Sequence, residues 1–385
     1  MATIFDYLEW RGDIPFSADP FDEVDNLVLS QLAYTDFRGI VPDDGTEISL
    51  SDAYHLFFRR HTREEILADK SFVAKAPLLM DGMTSGSRFG EIKLFRYIDE
   101  RDVRLETQIS AITFLLPNGT AYLAFRGTDG SLVGWKEDFN FSFLSETEGQ
   151  SRAIRYLNEV GSALHCPLVV GGHSKGGNLA VYASAFCENA VCDRIRTVYS
   201  NDGPGFKQDV AESSEYLRLL PKVKSIIPDT SIIGLLLSCK SDHHVVKSSA
   251  SGILQHDAFT WQVQRNRFVE AQLSPTAALI RQTMGAWLEQ MDDETRQSFT
   301  NTVFSPLEAT GVETFDEIGN QKWKGIETVL EAIVHLPKEK QKEALHLLGQ
   351  LGQIGTHTTA SYLASLAGIK ESEKSPEEPQ EPLEA

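Results

Sequence analysis

Residues Val169–Ala180 read VVGGHSKGGNLA, and the centre of this stretch, Gly172-His173-Ser174-Lys175-Gly176, has the form G-x-S-x-G. That pattern has chemical meaning where a strand turns sharply into a helix, because the turn then lifts the serine hydroxyl clear of the backbone. Both flanks fit. Pro167-Leu168-Val169-Val170 is a short apolar run suited to a buried strand. The segment from Gly177 to Phe186 is apolar at helical spacing, with small residues where a helix would lie close on a sheet. Ser174 is therefore a candidate nucleophile.

Reading outward, AITFLL, PNGT and AYLAFRG predict a hairpin, with Asn118-Gly119 suited to a tight turn between two apolar strands. SETEGQSRAIRYLNEVGSAL predicts a helix feeding the strand before Ser174. RIRTVYS and VKSIIP predict two further strands, separated by the short helical stretch SSEYLRLL. Strands alternating with helices imply an α/β fold: a mostly parallel sheet covered on both faces. Upstream, FDEVDNLVLSQLAYTDF sets Leu27, Leu29, Leu32 and Ala33 on one helical face, and Ser51–Ser85 reads as a helical flank. Downstream, a long helix is expected from Phe259 through ALIRQTMGAWLEQM and beyond. The expected organisation is one α/β domain over residues 1–320, then a helical appendage over 321–369 with a break at Pro337. Residues 370–385 form an acidic tail with too little apolar surface to fold.

Composition narrows the function classes. An apolar fraction of 41% and a charged fraction of 24% describe a globular chain, and 385 residues suffice for a substantial core. Asp and Glu outnumber Lys and Arg by 55 to 36, a formal charge of −19, which argues against nonspecific nucleic-acid or anionic-membrane binding. The N-terminus lacks a basic segment followed by an apolar one, and the greasiest stretch, SIIGLLLSC, is too short to span a membrane. Four cysteines (Cys166, Cys187, Cys192 and Cys239) show no metal-binding spacing and are expected reduced, in a cytoplasmic protein.

A serine nucleophile needs a base, an acid to orient that base, and N–H donors where oxyanion charge develops. The N–H of Lys175, at the start of the following helix, is one candidate donor. Thr128, just after Arg126-Gly127 at a strand end, supplies the other, while Arg126 reads as a structural salt bridge. Trp135 and Phe139 read as packing residues or as the wall of an acyl pocket. His173 should shape the turn, since its side chain points away from that of Ser174. His256 in GILQHDAFTW is the leading base, with His243 and His244 in SDHHVVK as competitors. His335, His346 and His357 fall in the appendage and read as surface or core residues. Asp229 and Asp202 each follow a strand and can serve as the acid, Asp229 leading. Asp257 reads as a helix cap.

Taken together, these motifs resemble the class 3, or fungal-type, lipase group of α/β-hydrolases, and in particular an uncharacterised bacterial lipase-like branch. The likeness runs from about Ala111 to Trp261, with DYLEWRGDIPF and EVDNLVLSQLAY pointing to the bacterial branch. AFRGTDGSLVGWKEDFNF is similar to the family's strand, oxyanion loop and lid segment. The resemblance assigns Thr128 to the oxyanion hole, Trp135 to the lid, Ser174 to the nucleophile, Asp229 in IIPDTSIIG to the acid and His256 to the base. YSNDGPGF matches a glycine–proline turn, which makes Asp202 a structural or pocket residue. It implies an α/β-hydrolase that cleaves carboxylic acyl esters through an acyl-enzyme, without metal or organic cofactor, on a small or lipid-like substrate. A thioesterase or amidase, or a non-catalytic scaffold binding a protein or acyl ligand, is the alternative. Lys175 departs from the family's usual leucine, so it either selects an anionic substrate or makes a local ion pair. TSIIGLLLSC is expected to wall the pocket or form a flap.

Overall fold

The computed structural model describes residues 1–309, apart from 70, 72, 276, 280 and 283–290. The appendage and tail expected over 321–385 lie outside these residues, as does most of ALIRQTMGAWLEQM.

Eight strands form one sheet in chain order: β1 (Ile48–Ser49), β2 (Lys93–Asp102), β3 (Thr107–Leu115), β4 (Ala121–Phe125), β5 (Leu168–His173), β6 (Ile195–Asn201), β7 (Val223–Pro228) and β8 (His243–Val246). Strands β1 to β4 pair antiparallel, and β4 to β8 pair parallel. The β3–β4 hairpin closes at Asn118-Gly119 as expected, with Gly119 at φ +79° and Leu116 N–H donating to Thr120 O at 2.9 Å. Strands β1, β2 and β8 do not stand out in the sequence, because their polar and apolar residues mix.

Burial alternates along the central strands with the period that a two-faced sheet requires. Tyr122, Ala124 and Val169 join one core, while Ala121, Leu123, Phe125, Leu168 and Val170 join the other. The first core is covered by α1 (Ile4–Arg11), α2 (Glu23–Leu32), α3 (Leu50–Phe58), α4 (Arg63–Ala68) and α5 (Leu79–Ser85). α6 (Leu132–Asn140) follows β4, and α7 (Glu148–Ala163) and α8 (Lys175–Phe186) cover the second core. Helices on both faces of a mostly parallel sheet, with a sharp strand-to-helix turn at Ser174, constitute an α/β-hydrolase fold.

α2 is buried on every side from Val24 to Leu32, so the single apolar stripe expected of it understates its position. Asp22 caps it, accepting from the N–H groups of Val24 and Asp25. Its buried polar residues reach the sheet: Asn26 Nδ2 donates to Asn201 Oδ1 at 2.9 Å, and Ser30 Oγ lies 2.7 Å from Tyr122 OH.

The continuous helix expected from Phe259 is not formed. Ala258–Thr260 is a single 3-10 turn, and Val263–Gln264 pairs antiparallel with Arg267–Phe268 through a turn with Arg265 at φ +60°. Trp261 and Phe268 are buried there against the first core, so tertiary packing overrides helical spacing. A helix spans Asp293–Ala309, where Phe304 packs on Phe139 of α6 (ring centroids 5.4 Å) and Glu308 Oε1 receives Lys136 Nζ at 2.9 Å.

Candidate active site

Ser174 sits between β5 and α8 at φ +59°, ψ −132°, a region that side-chain-bearing residues rarely adopt. The surroundings hold it there. Its N–H donates to Asn201 O at 2.9 Å, its carbonyl accepts from Gly177 N–H at 2.9 Å, and Asn201 Nδ2 donates to Gly172 O at 3.0 Å. The flanking glycines answer to close approach: a Cβ on Gly176 would run into the carbonyl of Phe125 on β4, and one on Gly172 into the carbonyl of Gly176. Without these glycines, strand, turn and helix could not come so close.

His256 closes a 3-10 turn, Gly252–His256, that reaches over the sheet. Its Nε2 lies 2.9 Å from Ser174 Oγ, and its Nδ1 lies 2.7 Å from Asp202 Oδ2. Asp202, at φ +49° just after β6, is buried; its other oxygen accepts from Ser231 Oγ and, at 3.1 Å, from Gly234 N–H. Burial pushes this carboxyl up, but the hydrogen bond and charge of His256, with the Ser231 hydroxyl, bring it below its ordinary value. A carboxylate on Nδ1 favours the proton there and leaves the Nε2 lone pair facing the serine hydroxyl.

Asp229, expected to orient the base, does not touch it. Its Oδ1 accepts Gln255 Nε2 at 2.7 Å and Thr230 Oγ1 at 3.2 Å, while Gln255 Oε1 accepts Thr230 N–H at 2.8 Å. The reason is lateral position. Adjacent strands lie about 4.8 Å apart, so the end of β6 is one step from the elbow on β5 and the end of β7 is two. Asp202, which the resemblance makes a structural or pocket residue, lies on His256 Nδ1. His243 and His244 lie on β8, bonded to Ser225 Oγ (2.9 Å) and Glu23 Oε2 (3.1 Å), and do not converge on Ser174. Asp257 caps the Ala258–Thr260 turn through Phe259 N–H at 3.0 Å.

His173 contacts the backbone of His256 directly. Its Nε2 lies 2.9 Å from the carbonyl oxygen of His256 and its Nδ1 lies 2.9 Å from Tyr34 OH. A carbonyl only accepts, so the proton is on Nε2 and Nδ1 accepts from the tyrosine. Burial, then the charge of His256, pushes His173 down to about 3, which keeps it neutral across the physiological range. The two imidazoles lie 4.7 Å apart at 33°. Trp261 Nε1 donates to Gln255 O at 2.8 Å and fixes the same turn from beneath.

Thr128 lies beyond the end of β4, and its Oγ1 donates to Asp138 Oδ2 at 2.6 Å. Burial pushes Asp138 up to about 6, opposed by the positive charge of Lys175 and the Thr128 hydroxyl. Arg126 makes the expected salt bridges, to Asp99 Oδ1 (2.9 Å) and Asp129 Oδ2 (3.2 Å). The Lys175 side chain does not face the site: it is fully buried, with Nζ on Gln108 O (2.7 Å) and Glu137 Oε2 (3.1 Å). Of the two alternatives for Lys175, the local ion pair is the one formed. Trp135 and Phe139 stay partly exposed on α6. TSIIGLLLSC runs through the 3-10 turn Ile233–Leu235 and pairs Ser238 with Phe206. Glu137, Asp138 and Tyr34 do not stand out in the sequence. A lysine at the start of a buried helix is itself a signal that a carboxylate lies nearby.

Cys166, Cys187, Cys192 and Cys239 are free thiols. Among the described residues, no helix is long and apolar enough to cross a membrane, and no group of three or more His, Cys, Asp or Glu could hold a metal ion.

The family model described as Mbeg1-like matches residues 83–305, more than half of the chain. Among solved structures, the chain is similar to the native Rhizomucor miehei lipase propeptide complex at 13% identity and a TM-score of 0.38, covering 60% of this chain and 78% of that one. It is also similar to the M37 lipase at 13% identity and a TM-score of 0.34, covering 67% and 78%. No curated protein matches the chain significantly.

Proposed function

We propose that this chain, which belongs to the Mbeg1-like family, is a serine hydrolase of carboxylic acyl esters. One observation carries the reading: the unbroken path from Ser174 Oγ through His256 to Asp202, at 2.9 and 2.7 Å, with the serine on a strained turn. In this reading Ser174 Oγ attacks the ester carbonyl while His256 Nε2 takes its proton. The imidazolium is oriented and its charge offset by Asp202. The N–H groups of Thr128 and Lys175 donate to the oxyanion of the tetrahedral intermediate. His256 returns the proton to the leaving alcohol, and the acyl group stays on Ser174. Water, deprotonated by the same Nε2, then attacks the acyl carbonyl, and the acid is released as His256 returns that proton to the departing Ser174 Oγ.

The test is a chain-length series of acyl esters, with matched thioesters and amides, run on the wild type and on Ser174→Ala. Oxygen esters should turn over in the wild type. A fluorophosphonate should label it, and the variant should lose labelling and at least about 10⁴-fold in kcat. Undiminished hydrolysis in Ser174→Ala would exclude this nucleophile. A preference for thioesters or amides would keep the mechanism and change the substrate class.

A further inference from the structure

Lys175 does more than its backbone N–H requires. Its side chain runs from the first residue of α8 into the interior, where Nζ donates to Gln108 O and pairs with Glu137. Glu137 is equally buried and takes four donors on two oxygens. Oε1 accepts Thr107 Oγ1 (3.0 Å) and Gly149 N–H (2.8 Å), and Oε2 accepts Gln108 N–H (3.0 Å) and Lys175 Nζ (3.1 Å). Rotating this carboxylate would strand several buried donors at once, so its place is tightly held. The next residue on α6 is Asp138, which holds Thr128 through its hydroxyl at 2.6 Å.

Both oxyanion donors of the proposed reaction are therefore anchored in one buried polar cluster. We propose that Lys175 and Glu137 are positioning residues whose ion pair ties the elbow, with the Lys175 N–H, to α6, which fixes Thr128 through Asp138. This rests on the serine hydrolase reading and extends it. A buried ion pair is seldom more stabilising than apolar side chains of equal volume, so stability alone gives little reason for this one. Its position links the two halves of the hole. The positive charge of the ammonium is also the largest influence opposing the effect of burial on the Asp138 carboxyl.

The test compares each acyl ester with its thionoester, in which sulphur replaces the carbonyl oxygen. Sulphur is a poor hydrogen-bond acceptor, so turnover of the thionoester depends far less on the oxyanion donors. Lys175→Met, Glu137→Gln and the neutral double variant are assayed per active site, counted by fluorophosphonate titration. The expected result is a fall in kcat on the oxygen ester of about 10- to 100-fold, with KM changed less than the rate. The ester-to-thionoester rate ratio should fall with kcat. The double variant leaves no lone buried charge and decides the matter if a single variant does not fold. A pair that serves only the fold would lower the active fraction and leave the ratio at the wild-type value, which overturns the proposal. A wild type that neither reacts with fluorophosphonate nor hydrolyses esters would instead remove the serine reading on which it stands.

Discussion

Asp202 and Asp229 follow neighbouring parallel strands, β6 and β7, and each comes after a buried apolar run. Asp202 is buried and lies on His256 Nδ1. Asp229 lies on Gln255, the residue before His256, and holds the turn rather than the imidazole. One strand of lateral displacement separates a group in contact with the imidazole from one that contacts the turn carrying it. In a parallel sheet, chemistry at the strand ends depends on lateral order as much as on residue type.

The sharpest way to break this comparison is to neutralise each carboxylate in turn. Asp202→Asn should cost about 10⁴-fold in kcat, because an amide no longer enforces the tautomer that accepts the serine proton. Asp202 also sits below its ordinary value. Its contribution to folding should be complete above the unfolded carboxylate value of 3.8 and lost as pH falls through the lower folded value. Asp202→Asn should remove that acid dependence in chemical denaturation. Asp229→Asn should cost about 10- to 100-fold, by loosening the turn without altering the base itself. Equal losses from the two variants, measured as kcat per titrated site, would erase the distinction. The smallest effect is expected from Tyr34→Phe, which leaves His173 Nδ1 without its donor. A fall in kcat of about threefold is in keeping with one lost hydrogen bond, and an unchanged rate would show that Nε2 alone holds the His256 carbonyl.

Much of this arrangement is legible in the sequence for local reasons. The elbow announces itself because strand, glycines and small-residue helix are contiguous around Ser174, and His256 is a histidine in a loop beyond the parallel strands. Asp202 is harder to read, since two aspartates follow two similar strands and nothing local states which strand adjoins the base. Glu137 and Asp138 are harder still. Beside Lys136 they look like a solvated helical face, yet Glu137 is fully buried because its partners arrive from β3, α7 and α8. The segment after Phe259 misleads in another way. Trp261, Val263 and Phe268 are apolar at a spacing open to a helix, but they close a small hairpin over the first core. Where partners come from distant elements, spacing alone does not identify them.

The backbone at Ser174 has an evolutionary consequence. At φ +59° and ψ −132° a serine carries a conformational penalty of about 1–3 kcal/mol that a glycine would escape. Drift toward greater thermal stability would therefore favour glycine at the position where the proposed reaction demands a hydroxyl. A relative with glycine there would have given up the proposed nucleophile for robustness, with the surrounding architecture left intact.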